Sequence, residues 1–166
     1  MPRIVDLNVT TYWWVPSTTG DLSEVTTAAL TAAANISKYV VSTTNVGPTA
    51  SDTISERGIT DVANVVVPTV GNYEGNLVLF RDYTAGKPSA DDPLTTIASE
   101  SGELGWVVRR VGKASTEVAA AADVVEAYLF LTDNPQVSSG TGDGYLKATI
   151  PLLPQGVFST SVTLAA

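Results

Sequence analysis

Histidine and cysteine are both absent from the 166 residues. Without cysteine there is no disulfide, no thiolate metal site and no thiol nucleophile. Without histidine the usual general base, the middle member of a Ser-His-Asp triad and the commonest metal ligand are gone together. Charge is scarce too, 16% of residues against an ordinary share of about 25%. The scarcer sign is positive: 9 Lys and Arg against 17 Asp and Glu, a net charge of −8. These charges are spread evenly along the chain, so no basic stripe exists to grip phosphates. No apolar run approaches the roughly 20 residues of a membrane-spanning helix, and the opening MPRIVDLNVT has no apolar stretch of signal-peptide length. The expectation is an acidic, soluble product of the cytoplasm with no membrane partner, in which the sequons at Asn8 and Asn35 are chance matches in a threonine-rich chain.

Hydrophobic residues make up 44%, which excludes a disordered chain. At this length one domain, residues 1–166, can bury about 70% of its unfolded surface and needs no staple. Valine and threonine supply 22 residues each, and both suit a pleated, half-buried surface. Short runs rich in them lie between turn signals at 9–15, 38–44, 60–67, 76–84, 104–111, 124–132, 145–150 and 157–164. The fold class this predicts is mainly β, a β-sandwich of about eight strands. Asp92 before Pro93 has the form of a helix N-cap followed by proline at the first helical position, so a short flanking helix is expected there, ending by Gly102. A second helix is possible at 21–34, weakened by its threonines. Residues 45–58 (NVGPTASDTISERG) form a long polar connection after the second strand, either a loop or a hairpin projecting from the body.

Candidate chemistry is thin. Asp91–Asp92, Glu100 with Glu103, and Asp133 with Asp143 are the carboxylate pairs a glycosidase would need, but Asp91 and Asp92 are explained by a helix start and the others by a solvated surface. Asp133 and Asp143–Gly144 lack the alternating oxygen ligands of a calcium loop, and the glycines at 140, 142 and 144 do not open a helix as a phosphate cradle must. No cofactor is expected. Tyr12-Trp13-Trp14 could stack on a sugar, yet neighbours in a strand point to opposite faces, and Arg109-Arg110 is divided in the same way.

Three stretches, taken in order, resemble the tail tube (major tail) proteins of long-tailed bacteriophages, particularly those of actinobacterial hosts. They are ERGITDVANVVVPTVGNYEGNLVLFRDY at 56–83, the region 92–133 with GELGWVVRRVGKAS and DVVEAYLFLTD, and the closing GYLKATIPLLPQGVFSTSVTLAA. VPSTTGDLSEVTTAALTAAANIS also looks like that family's early segment. The resemblance covers most of the chain. It implies a β-sandwich with a short flanking helix and a long loop after the second strand, no catalytic residues, and a homo-oligomeric ring of six copies that contribute to a continuous inner barrel. Rings stack into the tube through which the genome leaves. The implied partners are tape-measure, tail terminator and distal tail proteins, and the implied location is the virion tail after synthesis in the host cytoplasm. In that family the loop after the second strand touches the next ring, which places Asp52, Glu56 and Arg57 at an inter-ring contact.

A conduit for DNA must not bind it. A wall of carboxylates and small polar groups repels the duplex over a Debye length of about 8 Å and leaves it mobile. Asp61 and Glu126, on the polar alternations of the third and sixth expected strands, are the lumen-facing candidates. The strands at 62–67 and 124–131 are nearly free of charge and are expected to be the edges that pair between subunits. The alternative from another class is a β-sandwich binding module that recognises carbohydrate or a host surface through Trp13, Trp14 or Trp106.

Overall fold

The computed structural model describes residues 9–57, 63, 65–97, 101–138 and 144–165. Among them the fold is mainly β, as the valine and threonine content implies. The strands are β1 (Thr10–Pro16), β2 (Ala34–Asn35), β3 (Asn45–Thr49), β4 (Thr53–Glu56), β5 (Val65–Pro68), β6 (Asn72–Phe80), β7 (Tyr83–Thr84), β8 (Lys87–Pro88), β9 (Leu104–Val111), β10 (Val124–Thr132), β11 (Gln136–Val137) and β12 (Lys147–Thr163). The helices α1 (Thr27–Ala32) and α2 (Pro93–Ile97) are short. One eight-stranded sheet runs β2-β1-β9-β10-β12-β6-β3, with β11 added to β12, and β4–β5 and β7–β8 are separate two-stranded ribbons.

The sheet curls until its ends meet. Arg109 Nη1, on β9, donates to the Val46 carbonyl on β3 at 3.2 Å, although three strands separate β9 and β3 along the hydrogen-bonded path. The connection between β2 and β3 closes the gap: Ile36 N–H donates to Tyr12 O on β1, then Val41 N–H to Val78 O, and Phe80 N–H to Tyr39 O, both on β6. Strict alternation sends the buried side chains to two cores. Inside the curl, Trp14, Val107 and Tyr128 lie side by side on β1, β9 and β10, packed with Leu77, Leu79, Phe130, Ile150 and Leu152. On the outer face Val15, Trp106 and Leu129 form the matching row, with Trp13, Val108 and Ala127 beside it, covered by Val25 and Leu30 of the α1 region and by Leu164. These inner and outer layers give the sandwich its core.

Both helix starts are capped by side chains. Thr26 accepts from Ala29 N–H at the start of α1, which is six residues long because threonines and an early 3₁₀ turn (Leu22–Glu24) occupy the rest of 21–34. Asp92 caps α2 by accepting from Leu94 N–H at 3.0 Å, and the same carboxylate takes both bonds of the Arg81 Nε. The helix begins where the Asp-Pro pair requires.

Four expectations need correction. Residues 38–44 are not a strand: Thr44 Oγ1 exchanges bonds with the Val78 N–H and C=O, substituting a side chain for a ladder rung, and only Val40 bridges to Leu79. The next strand lies inside the supposed loop, at β3, and residues 53–56 of that loop are β4 of a hairpin with β5. β6 starts at Asn72, ahead of the expected 76. The two closing strands are one, β12, kinked where residues 155–157 lie opposite the single residue Leu129 of β10. Gly156 takes a φ of +80° in that bulge, which glycine adopts without strain. The edge assignment also changes. β10 is an interior strand between β9 and β12, so 124–131 is not an edge, whereas β5, which includes residues 65–67, has β4 on one side only and is an edge of its two-stranded ribbon.

Candidate assembly surface

β3 and β6 leave the body together as an arm. β6 pairs with β12 only as far as Gly75 opposite Leu152, while it stays paired with β3 down to Asn72 opposite Thr49. The arm then bends and continues as the β4–β5 hairpin, in the register Thr53 with Pro68, Ile54 with Val67, Ser55 with Val66 and Glu56 with Val65. Asp52 fixes the bend: its N–H donates to Val70 O, its carbonyl accepts from Thr69 N–H, and its carboxylate accepts from Asn72 Nδ2 at 3.0 Å. Beyond that clamp the described side chains of β4 and β5 are exposed. Ile54, Val66, Val67 and Val70 each stand 53–58% open to solvent. A two-stranded ribbon with its apolar groups in water is marginal alone, and scattered single exposures do not account for four apolar side chains on one projection.

The expected contact residues fall on this arm. Asp52 is at its base, Glu56 ends β4 and Arg57 follows it, and all three are exposed. The four apolar residues were not among the sequence candidates. The signal for two of them, Val66 and Val67, was the VVVP run, which in an alternating half-buried strand would have put one face in the core.

The two lumen candidates fare differently. Asp61 lies outside the described residues. Glu126 is on β10, three-quarters buried, and accepts from Arg109 Nε at 2.9 Å, Arg109 Nη2 at 2.5 Å and Tyr128 Oη at 2.9 Å. Burial first, then the hydrogen bond to Glu126 and after it the Glu126 charge, push the Tyr128 phenol up from its ordinary value. Arg109 also borders an open cleft of about 640 Å³ at the end of the curl, with Tyr12, Ser37 and Thr44. The Glu126 carboxylate is thus neutralised by the arginine that borders that cleft.

Two other carboxylates are organisers. Asp123 accepts from Lys113 Nζ at 2.5 Å and Arg110 Nη1 at 2.8 Å, and these bonds, that from Lys113 foremost, hold it down to about 2. Arg110, 2% exposed, also donates to the carbonyls of Ala114, Glu117 and Val118 and lies 5.1 Å from the Trp13 ring, so it fills the β9–β10 loop from within. Glu24 accepts from the Ser17 hydroxyl, from Thr18 and Thr19, and from Trp106 Nε1 at 3.2 Å; the Ser17 bond leads in bringing it down to about 2. The adjacent arginines do face opposite ways, as strand geometry demands.

The remaining candidates disperse. Asp92 is consumed by Arg81 and the α2 cap, Asp133 accepts from the next backbone N–H, and Glu100 and Asp143 lie outside the described residues. Among the described residues no three His, Cys, Asp or Glu side chains gather as a metal site would require. Trp13, Trp14 and Trp106 are all 3% exposed or less, so none offers a face to a sugar. That removes the residues on which the binding-module alternative stood. Among the described residues no helix is long and apolar enough to cross a membrane.

A curled sheet with two full cores and an arm that carries exposed apolar residues defines a β protein with an apolar projection. The family model for phage tail tube proteins matches residues 1–166, and the chain belongs to that family. It is therefore a structural protein of a phage tail. No curated protein matches it. Its fold is similar to that of a chain in the cryo-EM structure of the anti-feeding prophage (AFP) baseplate, 6-fold symmetrised, with a TM-score of 0.55 and 15% identity, covering 99% of this chain and 98% of that one.

Proposed function

We propose that the chain, acting as one unit over residues 1–166, assembles into six-membered rings that stack into the tail tube and conduct the genome to the host. The observation that carries this is the β4–β5 hairpin, a projection whose exposed Ile54, Val66, Val67 and Val70 gain burial only against another molecule. Family membership and the six-fold symmetry named for the similar baseplate structure support the ring. In this reading the hairpin reaches the adjacent ring, with Asp52, Glu56 and Arg57 at its polar rim. Each such pair contributes about 0–1 kcal/mol, and the ring repeats them. The net charge of −8 keeps DNA unbound in the lumen, with Asp61 as a lining residue and Glu126 contributing as its pair with Arg109. Tape-measure, tail terminator and distal tail proteins are the partners at the tube's core and ends. The role is non-enzymatic, made in the host cytoplasm and exercised in the virion tail.

The test is direct. The bonds between Asp52, Thr69 and Val70 hold the ends of the hairpin together, so residues 53–68 can be replaced by a short Gly-Ser link without stretching the body. The variant is expected to fold and to form no stacks by negative-stain microscopy, where the full chain forms tubes. Tubes of normal length from the variant would overturn the hairpin's role.

A further inference from the structure

β12 is long enough to outrun its neighbour. Its first part, from Lys147 to Leu152, pairs with β6, but from residue 153 to 163 it pairs with β10 on one side only. Among the described residues no strand lies along the other side. Apart from the Gln155 N–H, which donates to the Tyr73 hydroxyl at the bulge, the bonds given to this segment outside the β10 ladder are local: Gln155 Nε2 donates to the carbonyls of Leu153 and Pro154, and Ser161 N–H to Ser159 Oγ. The other ends of the sheet are managed. β1 is covered by β2 and by Ser37, whose hydroxyl accepts from Tyr12 N–H, and β3 is five residues long and carries Pro48.

An open edge is ordinarily blunted with charge or proline. Here residues 148–166, nineteen in all, contain no charged side chain, and within 153–163 the only proline is Pro154, near the start. Leu153 and Val157 stand 45% and 37% exposed beside it. Among the described residues no other strand combines so long an unpaired side with so little to deter pairing.

We infer that the free edge of β12, residues 153–163, is a strand-pairing seam taken by a second copy of this chain. Charge argues for that occupant. Two copies that each carry −8 repel wherever their acidic surfaces meet, and an uncharged strip is where they can approach. A basic partner would be drawn to the carboxylates elsewhere. The seam rests on the reading of the chain as a ring subunit and names the edge by which the subunits join. It takes the place of the strand at 124–131, which is interior to the sheet.

Hydrogen exchange of the full chain, free and assembled, tests the seam. In the free subunit the edge amides of 153–163 that are unbonded to β10 should exchange rapidly, and in tubes they should slow at least tenfold. A second measurement uses Thr160→Lys with Thr163→Lys, both at exposed positions, which should leave thermal unfolding unchanged and cut assembly at least tenfold. Thr160→Val, apolar and favourable in a strand, should assemble as the parent does. Tubes whose 153–163 amides exchange as fast as in the free subunit, or normal tubes from the double lysine variant, overturn the seam and leave the tube reading standing. A full chain that forms neither rings nor tubes overturns that reading, and the seam with it.

Discussion

The Tyr73 hydroxyl completes the ladder between β10 and β12 at the point where the bulge breaks it, donating to the Leu129 carbonyl at 2.5 Å and accepting from the Gln155 N–H at 2.8 Å. Three residues of β12 face one of β10 there, so these two backbone groups have no partner across the strands. Tyr73 comes from β6, the strand that peels away at the same level, and its ring packs on Phe130 at 5.1 Å and Phe158 at 5.0 Å. One side chain therefore satisfies the bulge and fills the wedge that the departing arm opens.

Removing that hydroxyl leaves a buried carbonyl and an amide without partners. Tyr73→Phe keeps the ring and should cost about 1–3 kcal/mol in urea unfolding. The arm should loosen with it, read as faster amide exchange at 72–75. A variant as stable as the parent would show that water replaces the hydroxyl at no cost.

Gly75, the last β6 residue paired with β12, and Gly105, at the start of β9, allow close ring approach. A Cβ on Gly75 would sit 2.5 Å from Phe130 Cζ, and one on Gly105 would collide with the indole of Trp14. Both rings are fully buried and cannot step aside. Gly75→Ala and Gly105→Ala should each destabilise the subunit by about 1–3 kcal/mol, by the same unfolding measurement. Gly47→Ala, where nothing lies within 4 Å, is the matched control in β3 and should change little.

Acid should act through Asp123 and Glu24. Both are lowered to about 2 from ordinary values of 3.8 and 4.5. A carboxylate lowered in the fold stabilises it fully above its unfolded value, and that contribution is lost as pH falls toward the folded one. The melting temperature should therefore drop between about pH 4.5 and 2. Asp123→Asn leaves Arg110 buried without its counter-charge and should cost about 3 kcal/mol at pH 7. Its deficit against the parent should shrink as pH approaches 2, and a deficit that stays constant over that range would refute the linkage.

Local rules carried much of the fold. The division of Trp13 from Trp14 and of Arg109 from Arg110, the β9 and β10 strands, and the Asp92–Pro93 helix start were all legible from residue type and spacing. Features that depend on distant partners were not. Tyr73 sits in VGNYEG, which reads as a turn, and it belongs to a strand because β3 and the β12 bulge need it there. LLPQGV reads as a break, yet β12 continues through it since Gly156 and the Tyr73 hydroxyl absorb the irregularity. The 45–58 segment looks polar and loop-like, and its two strands form only because residues 45–49 find partners on β6 and residues 53–56 on β5. The burial of Arg110 has no local signal at all.

The last prediction separates apolar from charged contacts on the hairpin. Ile54 and Val67 are opposite each other in the register and share one face. Burying such side chains is worth about 1.5–3 kcal/mol each, whereas exposed ion pairs give about 0–1 kcal/mol. Ile54→Thr with Val67→Thr keeps β-branched residues, and exposed substitutions of this kind should shift subunit stability by no more than about 0.5 kcal/mol. Tube formation should nevertheless fall steeply, measured as the fraction pelleted against protein concentration. Replacing Asp52, Glu56 and Arg57 by alanine removes the rim charges and should instead change how assembly depends on salt, since exposed pairs are screened. If the alanine variant loses its tubes while the threonine variant keeps them, the hairpin works through charge, and its exposed apolar residues have another role.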